Sequence, residues 1–366
     1  MTRFCAPLCG VAAAMLAASV GFALDANMQQ SDPGAGPLNV TVTACLLANR
    51  SQRGTPCPEP QVSQSSDNAE KIAGHLARAW YFIDMQELER ARAEADLAVA
   101  IDPNDPKARH LSARLSFTLA DLPRAEADLA LALQQAPDDP DIETTHALLL
   151  QSKPAELQSL WELDAIILKH PDHLYAHERA AQLLMKFGRY DAALGHLNFV
   201  VERRQTVNLL ARRAEAFLGL GRAQSAAADL SAALEREPHR PDLVMARADA
   251  YAQAGLDDLA LRDYDAVLAT DRGAPILVMP GDYRAKLLTK RAFSYVHLRR
   301  FDDAATDMIA AISLGGVPAI LRAQVLLRRN GFSDVPLDGH DTAALREALS
   351  ACFGLDACFQ GIMKSI

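Results

Sequence analysis

The feature that most constrains this chain is a ladder of alanines that returns about every 34 residues. Ala79, Ala113, Ala147 and Ala181 are each 34 residues apart, and Ala214, Ala248 and Ala292 follow after 33, 34 and 44. A second ladder runs 12 residues behind the first, through Ala91, Ala125, Ala193, Ala226, Ala260 and Ala304, with Ser159 in the remaining slot. Prolines recur in phase at Pro103, Pro137, Pro171 and Pro238. Large apolar residues keep step at Phe82, Leu150, Leu184, Phe217, Tyr251 and Tyr295.

A period of this length is too long for a single element and too short for a domain. It marks a two-helix unit that cannot bury its apolar face alone and must stack on its neighbours. Each first helix is predicted to span about 13 residues, for example Ala176–Phe187, and to end at a turn such as FGRY or LGRA. The second helix then runs to the proline, which lacks a donor and clashes inside a helix, so it closes the unit. Small side chains at two fixed sites let the paired helices approach to about 8–10 Å. The abundance of alanine and the low aromatic content, 6%, favour helices over strands.

These residues resemble the tetratricopeptide repeat family, whose pattern has small residues at the eighth and twentieth positions, an aromatic at the eleventh and proline near the thirty-second. The resemblance covers residues 72–318 and lacks the family's common tryptophan near the start of the first helix. It implies an all-α fold, a superhelical solenoid of seven helix-turn-helix repeats. The insertion Arg272–Gly281, between the sixth and seventh repeats, is expected to form an exposed loop. Beyond Pro318 the sequence predicts a helix AILRAQVLLRRN and another from Thr342 to about Cys352, a cap for the last repeat. The same stretch, AQVLLRRNGFSDVPLDGHDTAALREAL, resembles part of a peptidoglycan-binding fold, so residues 319–366 read either as a cap or as a cell-wall anchor.

The N-terminus has the order of a secretory signal. Arg3 precedes the apolar run Val11–Ala23, and Gly21 and Ala23 sit at the spacing a signal peptidase needs. At about 13 residues the run is shorter than the roughly 20 needed to span a bilayer. The expectation is a cleaved signal at 1–23 and a periplasmic or secreted chain. Residues 24–68 are rich in Ser, Pro, Gln and Gly and read as an irregular leader, with a short strand or helical turn at Val40–Ala48. Four cysteines remain after the signal, Cys45, Cys57, Cys352 and Cys358. They flank the repeats in two pairs, and local disulfides Cys45–Cys57 and Cys352–Cys358 are the simplest connectivity for an exported chain.

A net charge of −9 gives no global attraction to phosphate backbones or anionic lipid, so no nucleic-acid role is expected. The chain has no Gly-rich phosphate loop, nucleophile elbow or HExxH motif, and no cofactor, metal or catalytic residue is predicted. His173 and His177 are spaced to share a helix face, but His177 falls at a packing position and His170 adjoins the unit-closing proline. The recurring acidic pairs Asp229–Leu230 and Asp263–Tyr264 read as scaffold. Function is therefore expected on the concave wall. The family resemblance places positions two, five, nine, twelve and thirteen of each first helix there: Lys107, His110 and Arg114; Tyr175, Glu178 and Gln182; Asn208 and Glu215; Asp242 and Asp249; Lys286, Phe293 and His297. These are the predicted contacts for a protein or peptide partner, which makes the chain a non-catalytic interaction scaffold.

Overall fold

The computed structural model describes residues 59–63, 66–151, 155–270, 281–355 and 358. The predicted signal, the leader through residue 58 with Cys45 and Cys57, the Val40–Ala48 element and the insertion up to residue 280 lie outside the described residues. Sixteen α-helices occur among the described residues. Fourteen of them pair into seven antiparallel hairpins. They divide between two compact units, residues 1–205 and 206–366.

The first unit holds four hairpins: α1 (Asn68–Asp84) with α2 (Leu88–Ile101), α3 (Pro106–Thr118) with α4 (Leu122–Gln135), α5 (Pro140–Leu150) with α6 (Glu156–Lys169), and α7 (Leu174–Lys186) with α8 (Tyr190–Arg203). The second holds α9 (Val207–Gly219) with α10 (Ala223–Arg236), α11 (Pro241–Gln253) with α12 (Asp257–Thr270), and α13 (Gly281–His297) with α14 (Phe301–Ser313). It ends in α15 (Gly316–Arg329) and α16 (Ala343–Phe353).

The alanine ladders are the seams of these hairpins. All seven members of the first ladder are at most 1% exposed, and so are all seven of the second, Ser159 included. A methyl or hydroxymethyl group at each crossing lets the two backbones come close; a larger side chain would overpack the contact. The prolines behave as the sequence predicts. Pro103, Pro137, Pro171 and Pro238 each follow the residue that terminates α2, α4, α6 and α10, while Pro106, Pro140 and Pro241 open the next first helix. Asp105 and Asp139 cap those helices by accepting backbone N–H bonds.

The turn inside six of the hairpins, all but α5–α6, is a left-handed helix cap among the described residues. In α7–α8, Gly188 has φ +70°, and Arg189 N–H donates back to Leu184 O at 2.9 Å. Gly221 and Gly255 repeat this geometry. In three hairpins the left-handed residue is not glycine but Gln86, Ala120 or Arg299.

A cross-helix polar clamp accompanies the seam. In α9–α10, α11–α12 and α13–α14 an arginine grips an aspartate 16 residues on with two hydrogen bonds: Arg213–Asp229 at 2.7 and 2.8 Å, Arg247–Asp263 at 2.8 and 2.9 Å, Arg291–Asp307 at 2.6 Å twice. Each of those guanidiniums also lies 5.8–5.9 Å from an aromatic ring four residues on, Phe217, Tyr251 or Tyr295. Arg78–Glu94 and His146–Glu162 fill the same slots in the first and third hairpins. The second substitutes Ser112, whose hydroxyl donates to Asp128, and draws its cation from Arg109. The fourth has Ala180 opposite His196, and the gap is filled by His177, whose Nδ1 meets His196 Nδ1 at 2.9 Å.

The C-terminal helices cover the last hairpin. Ile320, Leu327, Val335, Leu345, Leu349 and Phe353 join Ala304, Met308, Ile309 and Ile312 in one buried cluster. Between them the loop is held by Gln324, which is fully buried. Its amide donates to Asp338 Oδ1 and His340 O, and its oxygen accepts from Gly339 N–H. Only glycine fits at 339, where φ is +70° and a Cβ would stand 2.5 Å from Val317 Cγ1. The predicted Cys352–Cys358 disulfide is formed and sits in this cluster.

Candidate docking surface

In the first unit, α1, α3, α5 and α7 lie side by side, so position within the repeat decides which side chains face a neighbouring first helix. Several predicted wall residues turn out to be the ties between repeats. Arg114 is 5% exposed and its guanidinium stacks 4.7 Å from the Trp80 ring of the preceding repeat. His110 Nε2 lies 2.7 Å from Thr145 Oγ1 on the following one. That hydroxyl spends its proton on Asp141 O, so the imidazole must be the donor at Nε2. Burial, reinforced by the Arg114 charge, holds His110 well below the usual histidine range, and it stays neutral.

Tyr175, Glu178 and Gln182 share α7. Tyr175 is buried beneath the Arg179 guanidinium at 4.8 Å, and Gln182 Oε1 accepts from Arg179 at 2.9 Å. Glu178 is 7% exposed and accepts from Arg204 at 3.0 Å. Lys107 alone of the first unit's predicted residues is exposed.

In the second unit Asp249 is the central group. It accepts from Tyr264 Oη at 2.8 Å and from Lys290 Nζ at 2.5 Å, tying α11 to both α12 and α13. Tyr283 Oη reaches Met245 Sδ at 2.9 Å beside it. Glu215 is half-buried; desolvation raises its carboxyl above the ordinary range, with Arg212 pulling it back. Asn208, Asp242, Lys286 and His297 are exposed and Phe293 is half-buried. Asp242 is engaged by Arg240, and His297 lies 3.2 Å from Asp257.

Of the thirteen predicted residues, His110, Arg114, Tyr175 and Glu178 in the first unit and Asp249 in the second make ties within their own unit, Lys107 in the first and Asn208, Asp242, Lys286 and His297 in the second are exposed, and Gln182, Glu215 and Phe293 are half-buried. Trp80 and Thr145 in the first unit, and Tyr264 and Lys290 in the second, contact the tying residues and were missed. Trp80 holds the ninth position of its repeat, so the frame that selected Arg114 contained the signal for it. Thr145 and Tyr264 become visible only through their partners. Among the described residues, no group of three or more His, Cys, Asp or Glu gathers to hold a metal ion. His177 instead packs on the Phe199 ring at 4.2 Å and meets Pro171 O through Nε2 at 3.0 Å.

The model of the bacterial transcriptional activator domain matches residues 200–272, about a fifth of the chain. No curated protein matches in sequence. Similar solved structures include a tetratricopeptide repeat protein from Parabacteroides merdae, 16% identical over 76% of this chain and 98% of that one, with a TM-score of 0.42. A tetratricopeptide protein of Thermus thermophilus is 19% identical over 50% of this chain and 99% of that one, at 0.44. The C-terminal part of a repeat protein from Cytophaga hutchinsonii is 15% identical over 64% and 93%, at 0.49. The 34-residue hairpin, the paired small-residue seams and the left-handed turns decide the architecture without them. The fold is of the tetratricopeptide type.

Proposed function

We propose that this chain is a non-catalytic scaffold, exported by its N-terminal signal, that docks a protein or peptide segment along its first helices. The observation that supports the reading most is the division of labour on that wall. Polar ties, Arg114–Trp80 in the first unit and Asp249–Lys290 in the second, lock neighbouring first helices together within each unit, and Lys107 in the first and Asn208, Asp242 and Lys286 in the second are exposed on those helices. A preorganised row of polar side chains at helical spacing suits an extended or helical segment, because little ordering entropy is lost on docking. No helix among the described residues is long and apolar enough to cross a membrane.

We read the segment 319–366 as a cap rather than a peptidoglycan anchor. Val335, Leu345 and Leu349 are spent on the last hairpin's apolar face. The test of the scaffold reading is photo-crosslinking in the native cell envelope. Crosslinkers at Lys107, Asn208, Asp242 and Lys286 should capture one common partner, and one at Glu235, exposed on α10, should not. Capture from Glu235 with equal yield would overturn the assignment to the first helices.

A further inference from the structure

The back of one second helix differs from the backs of the other six. The outward positions of α6 carry Leu157, Trp161 and Leu168, spaced i, i+4 and i+11. At about 100° per residue this spacing puts all three within about 40° of arc. Leu157 is 61% exposed, Trp161 70% and Leu168 84%, and the exposed Ala165 lies beside them. The opposite face, Ser159, Leu160, Leu163 and Ile166, is the one buried in the repeat core.

The repeat frame shows how unusual this is. Leu157 corresponds to Glu89, Pro123, Asp191, Gln224, Asp258 and Asp302, and Trp161 to Ala93, Ala127, Gly195, Ala228, Arg262 and Thr306. Leu168 corresponds to Ala100, Gln134, Glu202, Glu235, Ala269 and Ser313. Leu97 on α2 and Leu131 on α4, at the position of Ala165, are exposed as single residues. Among the described second helices, only α6 gathers three large apolar side chains on its back.

An exposed stripe of this kind covers on the order of a few hundred Å², the size at which surface patches on monomers tend to be functional. Its charges choose the occupant. Asp164 stands exposed within the stripe, and the exposed Glu126 on α4 and Asp191 and Glu202 on α8 are also acidic. A second copy of this chain would bring two such acidic stripes face to face. The apolar leader stretch LNVTVTACLLA contains no basic residue to meet Asp164.

We propose that the outer face of α6 docks an amphipathic helix of another protein. Its apolar side would lie along Leu157–Leu168, with Trp161 as the anchor and a lysine or arginine opposite Asp164. This face is separate from the first-helix wall, so either surface can fail its test without the other.

The test uses the purified chain and three synthetic 18-residue peptides: a leucine–lysine amphipathic helix, its leucine–glutamate counterpart, and a scrambled leucine–lysine sequence with no apolar face. Trp80 is only 4% exposed, so changes in acrylamide quenching of tryptophan emission report on Trp161. The leucine–lysine helix should blue-shift the emission and shield it, and the other two peptides should not. By anisotropy of the dye-labelled peptide, Trp161→Gln with Leu168→Gln should weaken binding at least tenfold at unchanged Tm, and Asp164→Lys should reverse the preference toward the leucine–glutamate helix. Equal response to all three peptides, or undiminished binding by Trp161→Gln with Leu168→Gln, overturns the proposal. So does a concentration-dependent dimer in sedimentation that shields Trp161 without peptide, which makes a second copy the occupant. Emission already blue and unquenchable in the dilute free chain also overturns it, since the chain then covers the face itself.

Discussion

The cross-helix clamp makes a sharp energetic prediction at Arg247–Asp263. The two side chains are 24% and 11% exposed and joined by two hydrogen bonds, so the pair lies between a surface ion pair and a buried one. Surface pairs contribute about 0–1 kcal/mol, whereas removing one partner of a buried pair costs about 3–5 kcal/mol, chiefly through the abandoned charge. Asp263→Ala should therefore cost about 2–3 kcal/mol, because Arg247 would be left half-desolvated against Ala248 and Tyr251. Replacing both groups, Arg247→Met with Asp263→Leu, keeps the volume and removes the orphaned charge. That double variant should lie within about 1 kcal/mol of the native chain.

A nearest-neighbour array does not unfold in one step, so the readout must be local. Amide exchange across α11 and α12, with urea unfolding followed by circular dichroism as the global check, gives the double-mutant cycle. A single-mutant cost under about 0.5 kcal/mol, or a double variant worse than Asp263→Ala, would refute the reasoning. It would mean that the pair is held by the hairpin rather than holding it.

Three further outcomes follow from other parts of the fold. Ala120→Gly and Arg299→Gly, at turn positions with φ +63° and +59°, should each stabilise the chain by about 0.5–1 kcal/mol in urea unfolding; a loss would show that the side chain compensates its backbone strain. Lowering pH from 7.5 to 5.5 should reduce the Tm. His177 Nε2–H is committed to Pro171 O, so its Nδ1 must accept from His196, and burial holds both imidazoles below their usual value of 6.5. The unfolded chain then takes up the protons first, and the stability that is intact above 6.5 is lost as pH falls toward the lower native values. Removing the pair by His177→Phe with His196→Leu should reduce this acid slope, leaving the part due to His110 and His173, which burial also holds low, and an unchanged slope would exclude the pair as a contributor. Cys352→Ala with Cys358→Ala should cost about 2 kcal/mol by loop-closure entropy and raise amide exchange in α16 but not in α1–α8; exchange raised across both units would contradict a local staple.

Much of the architecture was legible because a small residue at a helix crossing is a steric requirement that each hairpin must meet separately. Fourteen such sites, read as two ladders, gave the number and phase of the hairpins before any contact was known, and the prolines gave their ends. Some turns were legible for the same reason: FGRY and LGRA carry the glycine that a left-handed cap favours. Gln86, Ala120 and Arg299 occupy that cap without announcing it. The surface was less legible, because a repeat frame reports the direction of a side chain and not what its neighbour does. Arg114 and Lys107 both fall at wall positions, yet one is buried against Trp80 and the other exposed. The difference comes from the adjacent repeat, which the period treats as equivalent.

The same distinction bears on α6. Leu157, Trp161 and Leu168 read in isolation as an ordinary core face, and so do Leu160, Leu163 and Ile166, so composition cannot say which side is inward. The phase of the second ladder can. Ser159 marks the seam, the buried face must include it, and the stripe holding Trp161 must then point away. A helix whose inner face already satisfies its hairpin has no folding reason to carry three large apolar residues on its back. Each costs solubility and gains nothing from the core. Their presence at i, i+4 and i+11 on one of the seven described second helices, with an acidic residue set among them, is what a second binding face would require.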